Sequence, residues 1–284
     1  MRPEKLSWAA RLRSNFLLAP PFLLSTAIFG SLALLASLVE GKPPQPSKSS
    51  GKSEKASFDS SEGGPPAPKA PQGVLQHRLA RRWARASIFF SGSRLAVIGL
   101  EKIPMGEKRP SACVYAGNHT SYMDTPVIFA GLPFQFRILA KKELWPIPFI
   151  GWYLNRSGQI PIDTANPRAT LSSLGAGVRA LRQGLSVYVF PEGGRTPDGQ
   201  LQPFLNGAAY LAIRAQVPLV PIALIGVYAL LPMHSRHFYH DPKRGPLKLV
   251  IGTPIATVGL SLRDADRLTA QLKEAIAGLI EENS

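Results

Sequence analysis

Only one cysteine, Cys113, stands in the 284 residues, so no internal disulfide can form. The fold does not depend on oxidation, which fits a reducing compartment, and zinc sites built on cysteine clusters are excluded. Acidic residues are scarce as well. Eighteen Asp+Glu face 33 Lys+Arg, a formal net charge of +15, which excludes an acidic disordered chain and calls for an anionic partner or surface. There is no Gly-x-x-x-x-Gly-Lys-Ser/Thr pattern, so a P-loop nucleotide site is not supported. No internal repeat is visible. What the chain does have is 45% apolar residues, enough to build the core of one ordinary domain.

Charge is also missing locally: between Arg13 and Glu40 no side chain is charged, and Phe16 to Val39 is an unbroken apolar run. As a helix that run would span about 36 Å, more than the roughly 30 Å of a bilayer's hydrocarbon layer. Pro20 and Pro21 interrupt the helical hydrogen-bond ladder, so a single span and a re-entrant hairpin are both open. A secretory signal peptide fits less well, because its apolar region is shorter and a small-x-small cleavage site should follow. Arg2, Lys5, Arg11 and Arg13 precede the run and Lys42, Lys48, Lys52 and Lys55 follow it, so the distribution of positive charge does not orient it. Residues 1–40 are thus a basic N-terminus with a hydrophobic membrane anchor. The Pro, Ser, Lys and Gly of residues 41–73 read as a flexible linker, and residues 74–284 as the folded domain.

That domain opens on a basic amphipathic helix. Leu79, Trp83, Ala86 and Phe90 recur at helical spacing on one side, with Arg78, Arg81, Arg82 and Arg85 largely elsewhere, the pattern of a helix lying on an anionic lipid interface. A core helix with solvated arginines, or a nucleic-acid patch, is the alternative. Residues 1–100 hold 14 Lys+Arg against 5 Asp+Glu together with the apolar anchor. Anchored basic charge suits anionic membrane lipids better than nucleic acid.

Strand-like runs then alternate with helical ones. Arg94–Ile98, Ala112–Ala116, Phe136–Ala140, Leu185–Phe190, Leu219–Ile225 and Leu247–Ile251 predict strands. Asn166-Pro167 opens a helix in which Leu171, Leu174, Val178 and Leu181 repeat at three and four, closed by Gly184. A further helix is expected over Ala208–Gln216. In the last helix Ser261 and Asp264 resemble a capping box, and Leu268, Leu272, Ile276 and Leu279 form the buried stripe. The alternation predicts an α/β fold, with a mostly parallel or mixed central sheet flanked by helices.

Two segments could carry chemistry. Asn118-His-Thr-Ser-Tyr-Met-Asp124 follows one strand and precedes a helix, the junction at which an α/β fold exposes side chains. On a straight helix His119 and Asp124 would point about 140° apart. If His119 sits on the turn and Thr120 or Ser121 caps the helix, Asp124 falls in its first turn and can receive the imidazole N–H. A carboxylate so placed fixes the tautomer and stabilises the imidazolium as a proton arrives. The second segment, Phe190-Pro-Glu-Gly-Gly-Arg195, also follows an apolar strand. Its glycines permit close backbone approach, and Arg195 offers a rigid fork of donors suited to phosphate or carboxylate.

Taken together these segments resemble the glycerophospholipid acyltransferase family, most closely its bacterial lysophosphatidic acid acyltransferases. Asn-His-x-x-x-x-Asp at 118–124 is similar to the family's first motif, Gly158-Gln-Ile-Pro-Ile-Asp163 to its second, Phe190-Pro-Glu-Gly-x-Arg195 to its third and Val217-Pro-Leu-Val-Pro-Ile222 to its fourth. The stretch Ala140 to Gly151 also matches in style and position, and the motifs run in the family's order from about Leu75 to the C-terminus. The resemblance implies transfer of an acyl group from acyl-CoA or acyl-carrier protein, as co-substrate and without any cofactor, to the free hydroxyl of a lysophospholipid. It makes His119 the general base, Asp124 its orienting partner, and Glu192, Gly193 and Arg195 part of the phosphate and acceptor site, with Lys141 adding positive charge. Thr164 stands where the family usually has Arg, and Leu205-Asn206 where it often has Lys-x, so two cations of the family's pattern are absent.

Other readings carry less. His234, His237 and His240 are spaced by three, but the third rotates off a shared helical face, and no metal site is expected. The Pro- and aromatic-rich Trp145–Tyr153 stretch suits core packing, or an acyl-chain path at the bilayer. Acylation of another lyso-lipid, such as a lyso-aminolipid, is the alternative activity, and a tethered, non-catalytic lipid-binding protein the alternative class. A cytosolic thioester donor must reach His119, so the domain is expected on the cytoplasmic face of the cell membrane.

Overall fold

Apolar runs with no polar alternation, such as Leu219–Ile225, suit strands covered on both faces. In the computed structural model, which describes Trp8, Arg11 and residues 13–40, 73–107, 110–235, 237–239, 241, 243 and 245–284, they become the centre of a sheet. Apart from Gly73, the expected linker lies outside the described residues, as do Arg2, Lys5 and His240. The strands are β1 (Leu95–Ile98), β2 (Val114–Gly117), β3 (Phe136–Lys141), β4 (Ile160–Ile162), β5 (Ser186–Val189), β6 (Leu219–Ile225) and β7 (Leu247–Ile251). Their spatial order is β1-β7-β6-β2-β5-β3-β4. Every neighbouring pair is parallel except β6 with β7, so the expected mixed, mostly parallel sheet is what forms.

The helices are α1 (Ala19–Glu40), α2 (Val74–Phe90), α3 (Asp124–Gly131), α4 (Ile150–Arg156), α5 (Pro167–Arg182), α6 (Gly207–Ala215), α7 (Val227–Leu230) and α8 (Ala265–Asn283). Alternation along the strands divides the core in two. Tyr115, Phe136, Tyr188 and Ile222 share one layer with α2 and α3, while Val114, Ala116, Val187 and Val189 share the other with α5, α6 and α8. Asn166 caps α5 as expected, accepting from the Arg168 and Ala169 N–H groups. Leu174, Val178 and Leu181 of its stripe are buried, whereas Leu171 is exposed. The Ser261–Asp264 capping box is present and opens a short 3-10 turn leading into α8.

β4 was not expected as a strand. It has three residues and contains Pro161, which cannot donate to a ladder and is tolerated because β4 lies at the sheet edge.

The apolar N-terminal run does not reverse. A π-helical turn over Arg13–Leu18 continues directly into α1, widening the ladder just where Pro20 and Pro21 remove N–H groups. The helix, Arg13–Ala36, is long and apolar enough to cross a membrane by length and composition. Its inner side lies along the domain. Ser14 Oγ accepts from the Phe238 N–H at 2.7 Å, Phe22 meets Phe238 edge-on at 5.5 Å, and a Cβ on Gly30 would stand 2.6 Å from that of Phe149.

α2 packs differently from its expected stripe. The side turned into the domain is His77, Ala80, Ala84 and Ile88, while Leu79, Trp83, Ala86 and Phe90 are only half-buried. Trp83 faces α1, its indole N–H donating to Thr26 Oγ1 at 3.0 Å, so its place is taken by the apolar helix rather than by lipid. Arg78, Arg82 and Arg85 are exposed. Arg81 is half-buried, with its guanidinium 3.4 Å from the Pro133 carbonyl.

His77 is 4% exposed between Phe136 and Phe129. Its Nε2 lies 2.9 Å from the Phe134 carbonyl, which only accepts, so Nε2 carries the proton. Burial, and then Arg137 and Arg81, lower its pKa to about 4 despite that hydrogen bond. A histidine held neutral contributes its stability above the unfolded pKa near 6.5 and loses it as pH falls towards 4. Chemical denaturation should therefore show a loss of up to about 3 kcal/mol across that window, and His77→Phe should flatten the slope.

Candidate active site

β2 and β5 are neighbours at the middle of the sheet, and the chain leaves them in opposite directions, β2 towards β3 and β5 across β2 to β6. Open α/β sheets present ligand sites outside the carboxyl ends of strands at such a switch point. Both candidate segments emerge there. β2 ends on Gly117, where a Cβ would lie 2.2 Å from the Tyr188 hydroxyl, so no larger residue fits. Asn118 then takes over from the ladder. Its side chain donates to the Leu224 carbonyl at 3.0 Å and accepts from the Leu224 N–H at 2.8 Å, fastening the turn to β6.

From the other side the turn is fastened to β5. The His119 N–H donates to Glu192 Oε1 at 2.7 Å, and Glu192 Oε2 accepts from the Gln202 N–H at 2.9 Å. Burial pushes the Glu192 carboxyl above its ordinary range, and these two N–H groups pull it back. The His119 carbonyl accepts from the Thr196 N–H at 2.8 Å. With its backbone pinned on both sides, the imidazole lies flat on Phe190, ring centres 3.8 Å apart and planes 15° from parallel.

Nδ1 of that ring is 2.8 Å from Asp124 Oδ2. Asp124 opens α3 and is fully buried, and the same oxygen accepts from the Thr120 and Ser121 N–H groups at 2.6 and 2.8 Å. Ionised, such a carboxylate only accepts, so Nδ1 carries the proton and Nε2 keeps its lone pair. The His119 side chain is 17% exposed, so the ring is reachable. Neither residue expected to cap α3 does so: the N-cap is Met123, without a side-chain cap, and Ser121 Oγ instead closes the preceding turn, accepting from the Met123 N–H at 3.0 Å and donating to the Leu231 carbonyl at 2.6 Å. The Thr120 hydroxyl is buried with no partner among the described residues.

The cations gather beside this pair. Gly193 takes φ +73°, and a Cβ on Gly194 would lie 3.8 Å from Lys141 Nζ, which places the ammonium at the end of β3 against the glycine turn. Arg195 follows, its guanidinium 3.8 Å above the Tyr122 ring. The adjacent Lys142 is instead paired with Asp163 at 2.5 Å. His119, Asp124, Lys141, Glu192, Gly193 and Arg195 thus share one end of the sheet. The residues in place of the family's cations behave differently: Leu205 is exposed and would touch a Cβ on Gly193 at 2.9 Å. Asn206 is tied to Asp266 at 2.6 Å, and Thr164 is exposed. His237 contacts Asn15 at 2.8 Å, away from these groups.

Sequence reasoning missed the roles of Asn118, Tyr122, Phe190 and Gln202. For Phe190 a signal existed, an aromatic side chain directly after the carboxyl end of β5, and for Tyr122 an aromatic between the two candidate catalytic residues. Asn118 and Gln202 act through backbone pairing between distant segments, which spacing does not record.

A family model described as Acyltransferase matches residues 94–225, the span from β1 to β6 that holds every residue of the site. The chain is 32% identical over 181 residues to a chloroplastic 1-acyl-sn-glycerol-3-phosphate acyltransferase of Brassica napus, a match covering 64% of this chain and 50% of that protein, so it spans about half of that relative's length. It is 31% identical over 191 residues to the 1-acyl-sn-glycerol-3-phosphate acyltransferase of Bacillus subtilis (strain 168), covering 66% of this chain and 90% of the relative. The crystal structure of the 1-acyl-sn-glycerophosphate (LPA) acyltransferase from Thermotoga maritima superposes with a TM-score of 0.71 at 22% identity, over 96% of this chain and 97% of that one, and shows the same fold. On the Bacillus match, a relative covered almost end to end, this chain belongs to the 1-acyl-sn-glycerol-3-phosphate acyltransferase family.

Proposed function

We propose that the protein is a membrane-bound O-acyltransferase that moves a fatty acyl group from acyl-CoA or acyl-carrier protein to the free hydroxyl of lysophosphatidic acid, giving phosphatidic acid. The observation that carries this reading is the 2.8 Å His119–Asp124 contact beside the glycine turn that gathers Lys141 and Arg195. His119 Nε2 takes the proton of the acceptor hydroxyl as its oxygen attacks the thioester carbonyl. The C–S bond then breaks, and the thiolate leaves with the proton returned by the imidazolium. Asp124 stabilises that imidazolium, while Lys141 and Arg195 offset the charge of the phosphomonoester. No acyl-enzyme is required. Cys113 is fully buried, and burial raises its thiol to about 11, which keeps it protonated and inert at neutral pH.

Membrane attachment follows from the same molecule. Phe16, Leu17, Leu23, Leu24, Ile28 and Leu35 of the N-terminal helix are exposed, as are three arginines of α2, a combination that binds anionic lipid. A cytosolic donor places the domain on the cytoplasmic face. Proteoliposomes given acyl-CoA or acyl-carrier protein and a panel of lyso-lipids test the acceptor. Thiol release matched by product from lysophosphatidic acid, and not from phosphate-free acceptors, is expected. Preference for a lyso-aminolipid would instead assign the apolar Leu205 beside Gly193 to a different headgroup, and lipid binding without thiol release would make the protein non-catalytic.

A further inference from the structure

Arg195 is held in an unusual way for a cation at an anion site. Its guanidinium carbon lies 3.8 Å above the centre of the Tyr122 ring. None of the three ion pairs among the described residues includes it, and its Nε is buried with no hydrogen-bond partner among them. A carboxylate partner would neutralise the guanidinium and occupy its fork of donors. An aromatic face fixes the plane from one side and leaves the charge and the in-plane N–H groups for an incoming anion.

The platform is not separate from the base. Tyr122 belongs to the turn between His119 and Asp124, whose neighbouring N–H groups bind Asp124 Oδ2. That turn is fastened on one side by Asn118 to β6 and on the other by Glu192 to the Arg195 segment. The position of the guanidinium is thereby tied to the position of the imidazole.

From this geometry we infer that Tyr122 is a positioning residue for the acceptor. By stacking on Arg195 it sets the distance between the group that binds a lipid phosphomonoester and His119, so that the bound acceptor presents its hydroxyl to the base. The inference rests on the phosphate-bearing acceptor proposed above. It extends no further along the lipid than headgroup and hydroxyl, because both fixed points lie at the sheet's carboxyl edge.

Steady-state kinetics of the full-length protein in vesicles, with lysophosphatidic acid as the varied acceptor, test it. Tyr122→Leu should raise the acceptor KM about 3- to 30-fold, the range expected for a lost cation–π contact. The donor KM and the acid limb of the pH–rate profile should stay in place. Tyr122→Phe, which keeps the ring face, should recover most of the loss. In an Arg195→Gln background Tyr122→Leu should add less than about twofold, since contacting residues couple. An unchanged acceptor KM in Tyr122→Leu, equal losses in the Leu and Phe variants, or independent effects in the double variant would each overturn the inference. Normal turnover of lysophosphatidic acid with any of these results removes the role of Tyr122 alone. Wild-type turnover confined to phosphate-free lyso-lipids removes the acceptor reading together with it.

Discussion

His119→Ala should fold and bind membranes as the parent does while losing about 10²–10⁴-fold in turnover, the usual contribution of a positioned general base. The substitution removes one of three donors to Asp124 Oδ2 and leaves the Thr120 and Ser121 N–H groups in place, so that buried oxygen keeps two hydrogen bonds. Asp124→Asn should lose about as much for another reason. An amide can offer its NH₂ to the imidazole, which reverses the tautomer and puts the proton on Nε2, where the lone pair is needed. The two variants are separated by stability, because Asn must also face two backbone N–H groups that now require an acceptor in a crowded, buried place. A thermal melt alongside the turnover assay reads both effects.

Asn118→Ala should have the largest effect on stability. The side chain is 4% exposed and satisfies both the N–H and the carbonyl of Leu224 near the carboxyl end of β6. Its removal strands two buried backbone groups at about 1–3 kcal/mol each, so a loss of about 2–6 kcal/mol in chemical denaturation is expected. Asn118→Asp keeps the shape and the acceptor but sets a carboxylate oxygen against the Leu224 carbonyl. It should be nearly as damaging, which identifies the missing donor as the cause rather than a cavity. Both should also lower turnover, since Asn118 fastens the residue before His119.

The fold was legible wherever apolar runs were bounded by turn residues, and six strands fall within about two residues of the expected spans. β4 was not, because three residues with a proline give no periodic signal and only the neighbouring β3 makes them a strand. In α2 the apparent stripe was set by the heavy side chains of Leu79, Trp83 and Phe90. The face that packs on the domain includes Ala80 and Ala84 beside Ile88, and the two alanines are small residues that weigh little in a hydrophobic pattern and allow close helix approach. Trp83 instead meets an element nearly sixty residues earlier.

The site divides in the same way. That His119 and Asp124 meet only if the histidine sits on a turn followed from helix geometry, and the turn is there. The second anchor for His119 comes from Glu192, 73 residues on, and the clamp of Asn118 reaches Leu224, 106 residues on. Those partners depend on which strands are neighbours, and β5-β2-β6 adjacency is decided by the packing of the two core layers rather than by local spacing.

The central claim is that His119 moves the acceptor's proton so that acyl transfer runs directly from thioester to lipid. Its most direct test follows thiol release and phosphatidic acid formation together, in vesicles containing the wild-type protein or His119→Ala, with lysophosphatidic acid and a thioester donor. The account predicts one thiol for each phosphatidic acid from the wild type and loss of both by about 10²-fold or more in the variant. Phosphatidic acid formed at the wild-type rate by folded His119→Ala would contradict it.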